Sequence, residues 1–339
     1  MTWSIGSILV LTFAFSAILV GVVRRHALRN NIVDLPNMRS SHTVPTPRAG
    51  GIAVVVSFVA ALCALCLCRV VDARTAGILI ISGCAIAAVG YLDDRRQLTA
   101  KARFAVHLAA AVFAIALLGG IPEPELARWG LGGFWIGFAF AVLVLAWGTN
   151  LFNFMDGIDG IAASEAIFMS MAGAYLNWLD GGDSGVTAAM LCLSAATAGC
   201  LVWNWPPARI FMGDVGSGFL GFMVTLLVIL TCNRGSAPIE VLPILGGVFL
   251  VDATVTLIRR FVRGDRWMEA HRMHAYQRLS RKWQSHKLVT VLVIAVNFGW
   301  LLPWAYMANH SPTNARIYFG IAMLPLIAAA LLAGAGKRD

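Results

Sequence analysis

The chain is a succession of long apolar runs, at about 3–23, 49–68, 76–92, 104–120, 133–151, 161–179, 185–203, 215–232, 239–258, 288–306 and 317–335. They are continuous rather than alternating, and most approach the roughly 20 residues that a helix needs to cross the hydrocarbon layer. In lipid the backbone must satisfy its own hydrogen bonds, which leaves helices or closed barrels. Hydrophobic residues make up 59% of the 339 and charged residues 13%, against about 25% charged in soluble domains. The expected fold is an all-α polytopic membrane protein of about eleven transmembrane helices, a single integral membrane domain over 1–339. The third run is the shortest and carries Gly83 and Gly90. The N-terminal run has its arginines after it and no small-residue cleavage site, so it reads as an uncleaved first span. All seven cysteines lie in or beside spans and read as small buried hydrophobes, not as zinc or disulfide sites.

With eleven spans, the connecting segments alternate in side. Of the 26 Lys and Arg residues, 21 fall on the face that holds segments 24–48, 93–103, 152–160, 204–214 and 259–287 and the C-terminal tail. Only Arg69, Arg74, Arg128, Arg234 and Arg316 fall on the other. Loop basicity sets orientation, so the first face is expected to be cytoplasmic, with the N-terminus outside and the C-terminus in the cytoplasm. The net charge of +9 is then mostly an orientation signal. No basic domain exists to dock a duplex, which argues against a nucleic-acid partner.

The polar motifs gather on that same face. Asp93 and Asp94, in YLDDRRQLTAKAR, are adjacent carboxylates where the third span ends. They read as a pair with perturbed acidity or as two solvated loop acids beside Arg95 and Arg96. In NLFNFMDGIDG (150–160), Asn153, Asp156 and Asp159 recur every three residues, and Gly157 and Gly160 let the chain turn. Asp159 also suits an N-cap for the next span. Carboxylate and amide oxygens of this kind suit Mg²⁺, which takes one or two protein carboxylates plus substrate phosphates. FMGDVGSG sets Asp214 at a helix start amid glycines, where backbone N–H groups favour phosphate. Asn204 and Arg209 stand just upstream. The longest polar stretch, 259–287, reads as a loop, and its HRMHAYQRL offers His271, Arg272, His274 and Arg278. A zinc site lacks a third nearby ligand, so phosphate or sugar contacts fit better. Arg39, His42 and Arg48 in the first loop offer the same chemistry. Acids, amides, glycines and cations on one face fit a magnesium-dependent reaction between phosphates, where catalysis is mainly positioning and charge stabilisation. An enzyme embedded in a membrane suits a phosphate with a lipid tail.

Taken together, YLDD…LTAKAR, NLFNFMDGIDG, PARIFMGDVGSG and AHRMHAYQRL resemble the polyprenyl-phosphate N-acetylhexosamine-1-phosphate transferase family, in order and across essentially the whole chain. The resemblance implies transfer of a sugar-1-phosphate from a UDP-sugar to undecaprenyl phosphate on the cytoplasmic leaflet of the bacterial inner membrane. The products are undecaprenyl-diphosphate-sugar and UMP. The implied cofactor is Mg²⁺, with Mn²⁺ as the alternative ion. Position by position, Asp93 and Asp94 match the aspartate pair, the first a candidate base for the lipid phosphate. Asn153, Asp156 and Asp159 match the asparagine–aspartate motif, with Asn153 a second contact to the metal. Asn204 and Asp214 match the loop after the seventh span, where the aspartate is the principal metal ligand. Arg103 stands where relatives carry a basic residue that meets phosphate, and His271, Arg272 and His274 match the basic motif that helps to bind the nucleotide-sugar. The HAYQRL form resembles the subgroup that initiates O-antigen or other surface polysaccharides, whereas the phospho-N-acetylmuramoyl-pentapeptide branch carries a run of histidines there. Ala49, in PRAGG, departs from the glycine common at that position. The sequence leaves the oligomeric state open, a homodimer included.

The rival reading is a transporter with a carboxylate relay. Transport sites lie near the bilayer midplane, and there the acids are few: Asp252, well inside the ninth run, and Glu165.

Overall fold

In the computed structural model every apolar run holds a helix, because a helix alone lets an isolated apolar segment satisfy its own backbone. The structure describes residues 2–34, 44–96, 98–130, 132–265 and 271–338, and side chains from residue 5 on. Arg39 and His42 lie outside the described residues. The elements are α1 (Thr2–Arg29), a two-residue antiparallel pair β1 (Val33–Asp34) and β2 (Thr46–Pro47), α2 (Gly51–Leu67), α3 (Ala73–Arg96), α4 (Ala100–Leu118), the short α5 (Glu123–Ala127) and α6 (Phe134–Met155). There follow α7 (Ile161–Leu179), α8 (Ser184–Asn204), α9 (Asp214–Asn233), α10 (Val241–Leu245), α11 (Gly247–Val262), α12 (Ala275–Trp283), α13 (His286–Val296), α14 (Leu302–His310) and α15 (Ala315–Leu332).

Among the described residues, eight helical segments are long and apolar enough to cross a membrane: Ile5–Arg29, Ala73–Arg96, Ala100–Leu118, Phe134–Met155, Ser184–Asn204, Asp214–Asn233, His286–His310 and Pro312–Leu332. The expected count of eleven is therefore met only in part. α2 has 17 residues, and the run at 239–258 is broken at Gly246 into α10 and α11. A π-helical turn, Asn297–Leu301, joins α13 to α14. The segment 259–287 is not simply a loop, since α11 runs to Val262 and α12 lies within it.

α9 forms the centre. The apolar window of α9 is entirely buried, whereas those of α1 and α15 are 28% and 22% buried. α3 and α6 pack against α9 most extensively, with α2, α7 and α8 adding to the collar. The glycine that weakens the third run as a span has a packing reason: a Cβ on Gly90 would lie 2.5 Å from the Asp214 carbonyl oxygen. Only glycine lets α3 press its last turns, with Asp93 and Asp94, onto the start of α9.

Candidate active site

Asp93 and Asp94 are not loop acids: they end α3, with Asp93 7% exposed and the Asp94 side chain 5% exposed. Consecutive helical residues point about 100° apart, so the two carboxylates serve different partners. Asp93 accepts from the Leu98 backbone N–H at 2.6 Å and from Arg103 Nη1, tying the end of α3 to the start of α4. Arg103 Nη1 also lies 3.5 Å from Asp214 Oδ2, so one guanidinium bridges two acids. Asp94 accepts from the backbone N–H groups of Asp214 (3.1 Å) and Val215 (3.2 Å). It caps the N-terminus of α9 from another helix, where a carboxylate suits the helix dipole. Gly213 makes this approach feasible. Its φ is +75°, and a Cβ there would sit 2.6 Å from Asp94 Oδ2.

Arg48 reaches the same cluster, 2.9 Å from Asp34 and 3.7 Å from Asp94. It follows Pro47 of β2, and next to it Ala49 adopts φ +80°, the left-handed region in which glycine is unstrained. The departure noted in the sequence therefore falls on a position where glycine would be easier.

Asp156 follows the last residue of α6 and faces a cavity of about 180 Å³, whose wall also includes Asp34, Arg48, Asn153, Asp159, Asn204 and Asp214. No described residue forms a hydrogen bond or ion pair with it. Burial pushes its pKa up to about 7, with the carboxylates of Asp94 and Asp159 adding to the effect and Arg48 opposing it. Asp159 is held instead. Its Oδ2 accepts from Ala208 N–H at 3.0 Å and its Oδ1 lies 3.2 Å from His286 Nδ1. It does not cap α7, whose preceding residue is Gly160 at φ +74°. Asn153 lies within hydrogen-bonding reach of Asp214 and donates to Ser217 Oγ at 3.3 Å. Asn204 is buried with both amide ends engaged. Its Oδ1 accepts from Gly160 N–H and its Nδ2 donates to the Ile210 carbonyl, each at 3.0 Å. It braces two loops of the cavity.

The last-loop motif lies apart. His271, Arg272 and His274 line neither this cavity nor the apolar groove described below. His274 is buried, its ring stacked with those of His271 (4.9 Å) and Tyr276 (5.7 Å) and its Nδ1 3.4 Å from Asp252. Burial, then the neighbouring His274 and Arg260, push His271 down to about 3, so its ring is neutral at neutral pH. Asp252 organises this loop: it accepts from Ala275 N–H (2.8 Å) and Tyr276 N–H (3.0 Å) at the start of α12. That turns Gln277 into the cavity wall. Three cavity residues escaped sequence reasoning: Asp34, Gln277 and His286. Only His286 carried a signal, as it follows Ser285, whose hydroxyl caps α13.

An apolar groove of about 590 Å³ opens between α3, α4 and α6, walled by side chains such as Ile86, Phe104, Leu143 and Trp147. It ends at Lys101, Arg103, Asn153 and Asp214. The polar cavity and the apolar groove share two residues, Asn153 and Asp214. A third space of about 860 Å³, lined by Arg281, Ser285 and Lys287 among others, joins the polar cavity at Asp159, Phe211 and His286.

A profile described as "Glycosyl transferase family 4" matches residues 76–232. The Bacillus subtilis (strain 168) protein named "Probable undecaprenyl-phosphate N-acetylglucosaminyl 1-phosphate transferase" is 31% identical over 289 residues, 83% of this chain and 78% of that protein. The chain belongs to glycosyl transferase family 4. Other relatives of this family 4 protein include the Escherichia coli O157:H7 "Undecaprenyl-phosphate alpha-N-acetylglucosaminyl 1-phosphate transferase", 26% identical over 308 residues (86% of this chain, 80% of the relative). The Shouchella clausii (strain KSM-K16) "Phospho-N-acetylmuramoyl-pentapeptide-transferase" is 28% identical over 274 residues (76% and 82%). The profile spans Asp93 through Asp214 and ends before the last-loop motif. With bacterial relatives and eight membrane-length helices, the family 4 chain is a multi-pass protein of the bacterial inner membrane.

Proposed function

We propose that the protein transfers an N-acetylhexosamine-1-phosphate from a UDP-sugar to undecaprenyl phosphate, giving undecaprenyl-diphosphate-sugar and UMP. The observation that carries this reading is the meeting of a polar cavity and an apolar groove at Asn153 and Asp214. Such a junction suits a reaction between a water-soluble and a lipid substrate. The polar cavity alone is small for a nucleotide-sugar, but the adjoining space of about 860 Å³ brings the total to the usual size of a ligand site. The names of the relatives support a polyprenyl phosphate acceptor and an N-acetylglucosamine-type donor. The basic segments gathered at this end favour a cytoplasmic site, and HAYQRL favours the initiation of O-antigen or a similar surface polysaccharide.

The donor set fits a divalent cation. Six carboxylates, Asp34, Asp93, Asp94, Asp156, Asp159 and Asp214, surround the junction, with the two guanidinium groups of Arg48 and Arg103 among them. Among the described residues no three His, Cys, Asp or Glu side chains converge into a ready-made cage. Mg²⁺ needs none, since it takes one or two carboxylates plus phosphate oxygens. Asp214, with Asn153 beside it, would hold the ion, and the ion would neutralise charge on the donor diphosphate.

The chain's own groups do the rest. Arg103, held by Asp93 and Asp214, meets the acceptor phosphate at the end of the groove. Asp93 takes the proton where that phosphate carries one. An acceptor phosphate oxygen then bonds to the donor's β-phosphorus, and the bond to the bridging oxygen breaks. UMP leaves with that oxygen. The structure offers little to the transporter reading: Asp252 caps α12, and Glu165 accepts from Asn297 Nδ2 at 2.6 Å through Oε2, with Oε1 unpartnered among the described residues. Asp214→Asn is expected to abolish UMP release at every Mg²⁺ concentration, and near-normal turnover would contradict the role given to Asp214.

A further inference from the structure

His107 sits in α4, four residues beyond Arg103 and so on the same helix face, about 6 Å further into the span. It is 8% exposed and lines the apolar groove. Its Nδ1 has no hydrogen-bond partner among the described residues. A buried polar atom left unsatisfied costs about 1–3 kcal/mol, and most of its surroundings are hydrocarbon such as Ile86 and Leu143. The Asn150 side chain is within hydrogen-bonding reach of the ring, and Asn150 Nδ2 is itself anchored on the Ala146 carbonyl at 2.8 Å. An imidazole in the wall of a groove that also carries Lys101 and Arg103, with a buried nitrogen left without a partner among the described residues, is matched to an anionic head group arriving along that groove.

We propose that His107, beside Asn150, is a binding residue for the phosphate of the lipid acceptor, contacting it from the membrane side while Arg103 contacts it from the water side. This inference rests on the reading of the groove as the acceptor's site. It gives Asn150, the first polar residue of NLFNFMDGIDG, a task that the metal cluster does not. The shared chemistry is a lipid-borne phosphate, which a prenyl phosphate and an ordinary phospholipid both carry.

The test uses the full-length protein in detergent, with undecaprenyl phosphate varied at saturating donor. Loss of a hydrogen bond to a charged phosphate is worth about tenfold or more in affinity. His107→Leu is therefore expected to raise KM for undecaprenyl phosphate about tenfold, with kcat and donor KM changed less than about twofold. His107→Gln, which keeps a hydrogen-bonding amide, is expected to recover most of the lost affinity. Binding of farnesyl phosphate should weaken in His107→Leu while binding of farnesol does not. An unchanged acceptor KM in His107→Leu overturns the proposal, as does equal loss of farnesol binding. So does an acceptor KM shift that disappears when phosphatidylglycerol is omitted, which would assign the contact to bulk phospholipid. If the wild-type protein neither turns over nor binds a prenyl phosphate, the reading of the groove fails instead.

Discussion

Among the described residues the Asp156 carboxylate in the polar cavity has no partner, and replacing it separates stability from activity. Its pKa rises from 3.8 to about 7, which corresponds to about 4 kcal/mol at about 1.4 kcal/mol per pH unit. The side chain keeps part of its surface toward the cavity. Water there screens the charge and reduces the figure to roughly 2 kcal/mol. Because the folded value is raised, the folded state binds more protons than the unfolded chain between about pH 4 and 7, and stability falls as pH rises through that window. Above about 7 the wild type carries the whole penalty, which Asp156→Asn lacks. Thermal unfolding of detergent-purified protein in EDTA should therefore show the variant melting higher at pH 8, by roughly 3 °C. The two proteins should converge toward pH 4, and added Mg²⁺ should narrow the gap at pH 8 by offsetting the charge. The same variant should lose most transfer activity. A variant that melts at or below the wild type at pH 8, or a gap that does not change with pH, would refute this electrostatic account.

Asp252→Ala removes the acceptor for two N–H groups at the start of α12. At about 1 kcal/mol or more for each buried donor left unpaired, thermal unfolding should show a loss of about 2–3 kcal/mol, and the donor KM should rise more than the acceptor KM. Ala49→Gly relieves the left-handed backbone at φ +80°. Since that conformation costs an L-residue about 1–2 kcal/mol and glycine loses part of this to chain entropy, a stabilisation of up to about 1 kcal/mol is expected in the same assay, with unchanged turnover.

The helical membrane architecture was legible because the runs are continuous and lipid admits few folds. The site was legible as a set of motifs, since helix ends on one face must meet in a small bundle. Asp93, Asp94, Asn153, Asp156 and Asp214 do gather at the start of α9. The division of labour among them was not legible. Nothing local shows that Asp94 caps a helix 120 residues later or that Asn204 spends its amide on two loops. Asp252 reads as an acid in an apolar run, and the backbone N–H groups that it caps lie 23 and 24 residues on. The break at Gly246 was hidden because α10 and α11 are both apolar, although the adjacent Gly246 and Gly247 mark the place. The histidines of the last loop match the expected motif by sequence, yet in the structure they pack against one another and line neither the polar cavity nor the groove. Packing decided that, and spacing does not encode it.

The central claim is that one junction joins a nucleotide-sugar to a lipid phosphate. Purified protein given Mg²⁺, undecaprenyl phosphate and a panel of UDP-N-acetylhexosamines, with UMP and labelled lipid measured in parallel, tests it most directly. At least one donor should yield UMP and lipid-diphosphate-sugar in equal amounts, and neither should form without the lipid phosphate. UMP release that ignores the lipid, or no product from any donor, would contradict it.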